Sequence, residues 1–236
     1  MSSVIAGKWA LVTGSSRGIG QQIAVGLAQR GCHVVVHGRS EKSTKATQAL
    51  LKDYDVNVHV AAGDLATDDG VQAVVDGVLA GPGYVDILYN NAAIMSPWKD
   101  IFELSKDEWL QTFQVNLWAM IALCKAFVPG MQERKYGRII NLTSGIADQP
   151  HLAPYSVSKA AVDKYSRDLA FAVKDDNVLV NYLDPGWLKT DMGGENAFEE
   201  VETVLPGALV PALLEDNGPT GRFFAAQDFK YLTPVR

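Results

Sequence analysis

The sequence predicts an α/β fold in which a parallel sheet is covered by helices on both faces. Short runs rich in valine and isoleucine alternate along most of the chain with stretches of helical periodicity, the pattern of repeated βαβ units. These runs are apolar at successive rather than alternate positions, so both faces of the sheet must be buried.

Trp9-Ala10-Leu11-Val12-Thr13 reads as the first strand, followed by a glycine-rich turn and a helix to about Arg30, which Gly31 closes as a C-terminal cap. His33-Val34-Val35-Val36-His37 is the second strand, and a lysine-rich amphipathic stretch forms the second helix to about Asp53. Val56 to Ala62 is the third strand and Thr67 to Leu79 the third helix. Gly81-Pro82-Gly83 breaks the chain before the fourth strand, Val85-Asp86-Ile87-Leu88-Tyr89. A long helix is expected over 105–131 with Pro129 near its end, then a fifth strand at 138–142 and a helix over 154–174. Strands at 178–183 and 222–226 complete the set. Right-handed crossovers between parallel neighbours turn this order into a single-domain, Rossmann-like, doubly wound sheet of about seven strands. No repeat, low-complexity stretch or linker divides residues 1–236.

A net charge of −6 without a basic stripe argues against nucleic acid as a partner. Cys32 and Cys124 stand far apart and lack histidine neighbours, so neither a disulfide nor a metal site is expected, and a cytoplasmic location fits. The N-terminus lacks the charged and apolar regions of a secretion signal. Leu117 to Val128, the longest apolar run, is interrupted by Lys125 and is too short to span a bilayer, so it reads as a buried helix and no membrane association is expected.

Thr13-Gly14-Ser15-Ser16-Arg17-Gly18-Ile19-Gly20 falls between the first strand and the first helix. Glycines there let the backbone approach a pyrophosphate, and the helix N-terminus directs free N–H groups at the same anion. At the end of the second strand, where a carboxylate would accept bonds from a ribose, the chain has His37-Gly38-Arg39-Ser40 and no acid. Arg39, with Arg17 from the glycine loop, suits a 2′-phosphate. Charge-assisted bonds contribute roughly 1.5–3 kcal/mol each, so two arginines favour NADP(H) by orders of magnitude.

Tyr155 and Lys159 stand four residues apart at the start of a predicted helix and so share a face. A phenol ionises near about pH 10, and a neighbouring ammonium is expected to lower that value toward the range useful for proton transfer. Other motifs fall in order along the chain: the glycine loop at 13–20, Asn90-Asn91-Ala92-Ala93, Asn116, Ser144, then Tyr155 and Lys159. With these in place the sequence resembles the classical short-chain dehydrogenase/reductase family from about Gly7 to Met192.

The resemblance implies an oxidoreductase that moves a hydride between a nicotinamide and a carbonyl or secondary alcohol, most simply a ketone or aldehyde reductase. The alternatives are an alcohol or sugar dehydrogenase running oxidatively and a non-catalytic NADP(H)-binding sensor. In the family pattern Tyr155 is the proton donor, Ser144 holds the carbonyl, Lys159 binds the nicotinamide ribose, and Asn116 kinks its helix and positions a water. Thr143 remains an alternative to Ser144. Asp64 and Leu65 are matched to the adenine, Asn91 and Ala92 to its ribose, and Pro185, Leu188 and Thr190 to the carboxamide and phosphate. With the loop residues Gly14, Ser15, Ser16, Arg17, Gly18, Ile19 and Gly20, and with Arg39, these form the expected coenzyme site, most of it within 1–92. Residues 93–236 would carry catalysis and the substrate.

Ala93 replaces the family's usual glycine, and Ser144 precedes Tyr155 by only eleven residues, which implies a trimmed substrate loop. Ile94, Met95, Trp98, Ile146, His151, Leu152, Trp187, Met192 and Phe198 are candidate walls for a small carbonyl or alcohol substrate with a hydrocarbon portion. Gly193-Gly194-Glu195-Asn196 reads as the hinge of a lid. The family's habit of assembling through its long helices implies a homodimer or homotetramer.

Overall fold

Seven strands form one sheet: β1 (Trp9–Val12), β2 (His33–Gly38), β3 (Val58–Ala62), β4 (Ile87–Asn90), β5 (Gly137–Leu142), β6 (Val178–Asp184) and β7 (Phe223–Ala225). Their order is β3-β2-β1-β4-β5-β6-β7, and every pairing is parallel. This computed structural model describes residues 4–232, so the first three and last four residues of the predicted domain lie outside the described residues. The connecting helices are α1 (Gly18–Ala28), α2 (Glu41–Leu51), α3 (Asp68–Ala80), α4 (Lys106–Phe113), α5 (Ala119–Glu133) and α6 (Ala153–Ala172).

Side chains alternate across each strand, and two cores result. Leu11, Val35, Leu88, Ile139 and Val180 face Val74 of α3, Leu123 and Phe127 of α5, and Val162 of α6. Val12, Val34, Val36, Ile87 and Ile140 point the other way, toward Ile23 and Leu27 of α1. The chain winds outward from β1 to β3 and then restarts on the other side of β1 with β4. At that reversal the loops after β1 and β4 part, which opens a crevice above the carboxyl ends of the strands.

Two elements differ from the sequence expectation. The long helix is interrupted: α4 and α5 are joined by a five-residue π-helical turn, Gln114–Trp118, with Asn116 at its centre. A capping box starts α4, in which Ser105 Oγ accepts from Glu108 N–H and Glu108 Oε2 accepts from Ser105 N–H at 2.8 Å. By length and composition the run Lys106–Glu133 resembles a membrane span, but Leu123, Phe127 and Met131 lie in the core against the sheet. Beyond Met192, where the family resemblance ends and no element was expected before the strand at 222–226, 3₁₀ turns at Val201–Val204 and Gly207–Ala212 close the second core with Val204, Ala208, Leu209 and Ala212, all inaccessible. Burial of a leucine such as Leu209 contributes roughly 2 kcal/mol, and the tyrosine hydroxyl of Tyr89 donates to Ala208 O at 2.9 Å beside it.

A buried polar chain crosses the first core. Asn90 Nδ2 donates to Asn141 Oδ1 at 2.8 Å, Asn141 Nδ2 donates to Ser166 Oγ at 2.8 Å, and Ser166 Oγ donates to Val162 O at 2.7 Å. It ties β4 to β5 and to α6, the three elements that carry Asn91, Ser144 and Tyr155. An Asn141→Ala substitution leaves the Asn90 amide with only the weak acceptor Cys124 Sγ at 3.5 Å and removes the donor to Ser166, a loss of about 2–3 kcal/mol. A thermal melt should show a fall of roughly 5–10 °C; an unchanged melting temperature contradicts the assignment.

Candidate active site

A cleft of about 820 Å³ lies over the carboxyl ends of the strands, bordered by the glycine loop, the ends of β2 and β3, the loops after β4 and β6, and α6. Thr13 and Asn91 close its floor. Thr13 Oγ donates to Tyr89 O and accepts from Asn91 N–H at 2.9 Å and Ala92 N–H at 3.0 Å. Asn91 Nδ2 returns a bond of 2.8 Å to Thr13 O. Gly18 sits in the left-handed region at φ 57°, and a Cβ on Gly20 would lie 2.5 Å from Gly14 O. Larger residues there would distort the loop.

The helices differ in how they begin. Ser40, Thr67 and Ser105 accept backbone N–H bonds and cap α2, α3 and α4. The residue before α1 is Arg17, whose side chain makes no capping bond, and the first turn holds no acid. The leading N–H groups of α1 therefore lack side-chain acceptors and border the cleft as a ready anion site.

Gly14, Ser16, Arg17, Gly18, Ile19, Gly20, Arg39, Asp64, Leu65, Asn91, Ala92, Pro185 and Thr190, all anticipated from sequence, line the cleft. The side chains of three expected residues are already engaged by the protein itself. Ser15 is fully buried; its Oγ accepts from His37 N–H at 2.9 Å and its own N–H donates to His37 O, so its side chain belongs to the scaffold. Leu188 is buried in the second core, where its apolar side chain is more stable than in water. Arg17 is paired at 2.6 Å with Asp191 across the cleft mouth. Both partners are well exposed, and such a pair is weak enough for a phosphate to displace.

At the other end of the cleft, α6 buries Tyr155 and Lys159 side by side. Ser144 is close enough to Tyr155 to lower its pKa, and its Oγ accepts from Ile146 N–H at 3.2 Å; Thr143 Oγ1 donates to Lys159 O at 3.4 Å, and of the two residues Thr143 is the one that borders the cleft. Lys159 Nζ donates to Leu142 O at 2.8 Å and lies 5.7 Å from the centre of the Tyr155 ring. Burial pulls the lysine down from 10.5 to about 8, against the opposing pull of Asp163 and Asp184. The tyrosine is pushed upward by burial, which outweighs the opposing effect of Ser144 nearby. The expected acidification of the phenol by Lys159 is thus reversed in the protein alone, because desolvation of the phenolate dominates. Tyr155 is a neutral phenol at neutral pH. Asn116 does not border the cleft: its Oδ1 accepts from Ile94 N–H at 2.8 Å and its Nδ2 donates to Ile94 O and to Ser158 Oγ, which fixes the loop after β4 to α6.

Of the expected substrate walls, Ile94 and Met192 border the cleft, and Gln111, Val115, Lys189 and Val201 join them without having been anticipated. Met95, Trp98, Ile146, His151, Leu152, Trp187 and Phe198 do not border it. Several are occupied with one another: Trp98 stacks on His151 at 5.1 Å, and Trp187 meets Phe198 edge-on at 4.8 Å. Gln111 and Val115 lay inside what read as a uniform helix, whose interruption the periodicity did not signal. Thr13 and His37 were seen as strand residues, and their polar bonds cross between loops far apart in sequence.

Known proteins share this arrangement. The family model described as short chain dehydrogenase matches residues 8–200. A 3-oxoacyl-[acyl-carrier-protein] reductase of Haemophilus influenzae is 32% identical over 96% of this chain and 94% of its own. A dehydrogenase/reductase SDR family member 4 of Oryctolagus cuniculus is 33% identical over 97% and 90%. Among solved structures, L-sorbose reductase from Gluconobacter frateurii, in complex with NADPH and L-sorbose, superposes with a TM-score of 0.86 at 32% identity, covering 99% of this chain and 100% of that one. The chain belongs to the short-chain dehydrogenase family, a family of oxidoreductases.

A lysine held at about 8 instead of 10.5 costs the folded state about 3 kcal/mol at neutral pH. Between those two values the unfolded chain binds the additional proton, so wild-type stability rises with pH there and the cost is full below about 8. Lys159→Met should therefore raise the melting temperature at pH 7, with the advantage shrinking between pH 8 and 10. A variant less stable at pH 7, or an advantage independent of pH, contradicts this account.

Proposed function

We propose that the protein is an NADP(H)-dependent reductase of small or medium ketones or aldehydes. The observation that carries this reading is one cleft with a neutral, buried phenol beside Lys159 at one end and the uncapped start of α1 with Arg39 at the other. The bare helix N-terminus and the cradle around Gly18 and Gly20 suit a pyrophosphate, Arg39 without a neighbouring acid suits a 2′-phosphate, and Asp64 and Leu65 suit an adenine. The NADPH of the L-sorbose reductase complex and the NADP bound to a 3-oxoacyl reductase from Agrobacterium tumefaciens, 29% identical, agree with this choice.

When bound, the nicotinamide supplies the hydride. Ser144 donates a hydrogen bond to the substrate carbonyl and holds it beside Tyr155. The Tyr155 hydroxyl passes its proton to the oxygen that becomes the alkoxide, and the neutral phenol is the form that reduction requires. Lys159 binds the ribose and restores the phenol's proton, while Asn116 fixes the π-helical turn and the Ile94 loop against α6. Ile94, Val115, Met192 and Val201 provide apolar walls, which favours a substrate with a hydrocarbon portion. A second reading, oxidation or reduction of a sugar or polyol, is favoured by the likeness to L-sorbose reductase and by Gln111 on the cleft wall. Exposed Leu110, Trp118 and Phe171 on α4 to α6 support assembly into a dimer or tetramer, and two buried free cysteines support a cytoplasmic setting.

A panel of ketones, aldehydes and sugars assayed with NADPH and NADH tests the reading. Tyr155→Phe should lower kcat by at least about 100-fold while NADPH still binds, as followed by coenzyme fluorescence; full turnover in that variant removes Tyr155 from the chemistry. Arg39→Asp should exchange the preference from NADPH to NADH, and an unaltered ratio of kcat/KM refutes its assignment to the 2′-phosphate.

A further inference from the structure

We infer that His37 is a positioning residue for the coenzyme, holding the glycine loop in its binding shape as a neutral ring and releasing it when protonated. The inference rests on the coenzyme site proposed above. His37 lies near the carboxyl end of β2, almost wholly buried yet bordering the cleft. Its Nδ1 is 2.8 Å from Gly14 N and its Nε2 is 3.0 Å from Gly63 O. A backbone amide can only donate and a carbonyl can only accept, so the hydrogen of the neutral ring is on Nε2 and Nδ1 is an acceptor. The ring thereby braces the glycine loop against the end of β3, where the chain continues into Asp64 and Leu65.

The other bonds to the loop come from different directions, and Asn91 Nδ2 holds Thr13 O and Gly14 O from the side of β4. Ser15 and His37 exchange two bonds, Ser15 Oγ with His37 N and Ser15 N with His37 O, and Thr47 Oγ1 of α2 donates to Ser15 O at 2.7 Å. Gly63 N–H donates to Gly38 O. The ring joins Gly14, the first glycine of the loop, to Gly63 at the end of β3. A proton on Nδ1 would face the Gly14 N–H, donor against donor, at a distance set for a hydrogen bond. Either the ring turns away or the loop lifts, and in both cases the cradle in front of α1 changes shape.

The charged environment does not remove this conflict. From the loop after β3 the carboxylate of Asp64 favours the protonated ring, as does the bond to Gly63, but burial outweighs both and holds the ring below its ordinary value. Arg39 lies two residues further along the chain, just beyond β2, and Arg17 of the glycine loop is drawn to Asp191. From α2 the neighbours of this corner are Ser43 and Thr47, which carry no charge.

The test measures the Kd of NADPH and of NADH by coenzyme fluorescence from pH 8 to 5.5, in the wild-type protein, His37→Asn and His37→Gln. NADH is needed because the second ionisation of a phosphate lies near about 6, so the 2′-phosphate of NADPH would imitate a histidine. For the wild type, the Kd of both coenzymes should rise below pH 6.5, by up to about tenfold per pH unit once the ring titrates. His37→Asn, too short to span from Gly14 to Gly63, should bind several-fold more weakly at pH 7.5. His37→Gln, which retains an acceptor at greater reach, should recover part of that loss. In both variants the NADH Kd should be nearly independent of pH. Nitrogen NMR of the coenzyme-free wild type should show the Nε2–H tautomer.

An equal pH slope in wild type and variants, or an Nδ1–H tautomer, overturns the inference and leaves the coenzyme assignment standing. Failure of the wild type to bind either coenzyme at any pH overturns both.

Discussion

The cleft depends on a helix that begins without a cap. Every α-helix has leading N–H groups with no partner inside it, and three other helices here satisfy theirs with a serine or threonine. In α1 the corresponding position is Arg17, and its side chain turns to Asp191 instead. An uncompensated helix end is tolerated where an anion is to be bound, since the same N–H groups and the aligned peptide dipoles then become binding energy. The architecture serves that end. Reversal of strand order between β1 and β4 keeps neighbouring loops from covering it, and Thr13 and Asn91 hold those two loops at a fixed separation.

At the opposite end the governing effect is burial rather than charge pairing. Removing Tyr155 and Lys159 from water raises one and lowers the other, so each moves toward its neutral form. The phenol is thereby kept as an acid, and the amine is brought to about 8, near the range in which it can exchange a proton at physiological pH. A lysine in such surroundings destabilises the fold, as groups poised for chemistry commonly do. The interior compensates with directed bonds, from Lys159 to Leu142 O and along the chain of Asn90, Asn141 and Ser166.

Much of the site could be read before the fold was known because its parts are local. The glycine loop occupies eight consecutive residues, and Tyr155 and Lys159 are one helical turn apart, so spacing alone puts them together. The strands were equally legible, because residues buried on both sides must be apolar along their whole length. Less legible were features whose partners are remote. His37 acts on Gly14 and Gly63, Arg17 meets Asp191, and the π-helical turn at Asn116 exists in the setting of Ile94 and Ser158. The 3₁₀ turns at 201–212 escaped notice for a related reason: they are too short for a periodic signal, and they are held by the face of the core they cover.

By itself, then, the order of residues determined the parallel sheet, the glycine loop before α1 and the pairing of a phenol with an amine, since each follows from near neighbours in the chain or from uniform burial. Only the tertiary structure decided which arginine is already engaged, which apolar side chains reach the cleft, and which way the two ionisable groups shift. These outcomes depend on desolvation and on contacts between segments separated by tens of residues, and neither quantity is defined until the chain has folded.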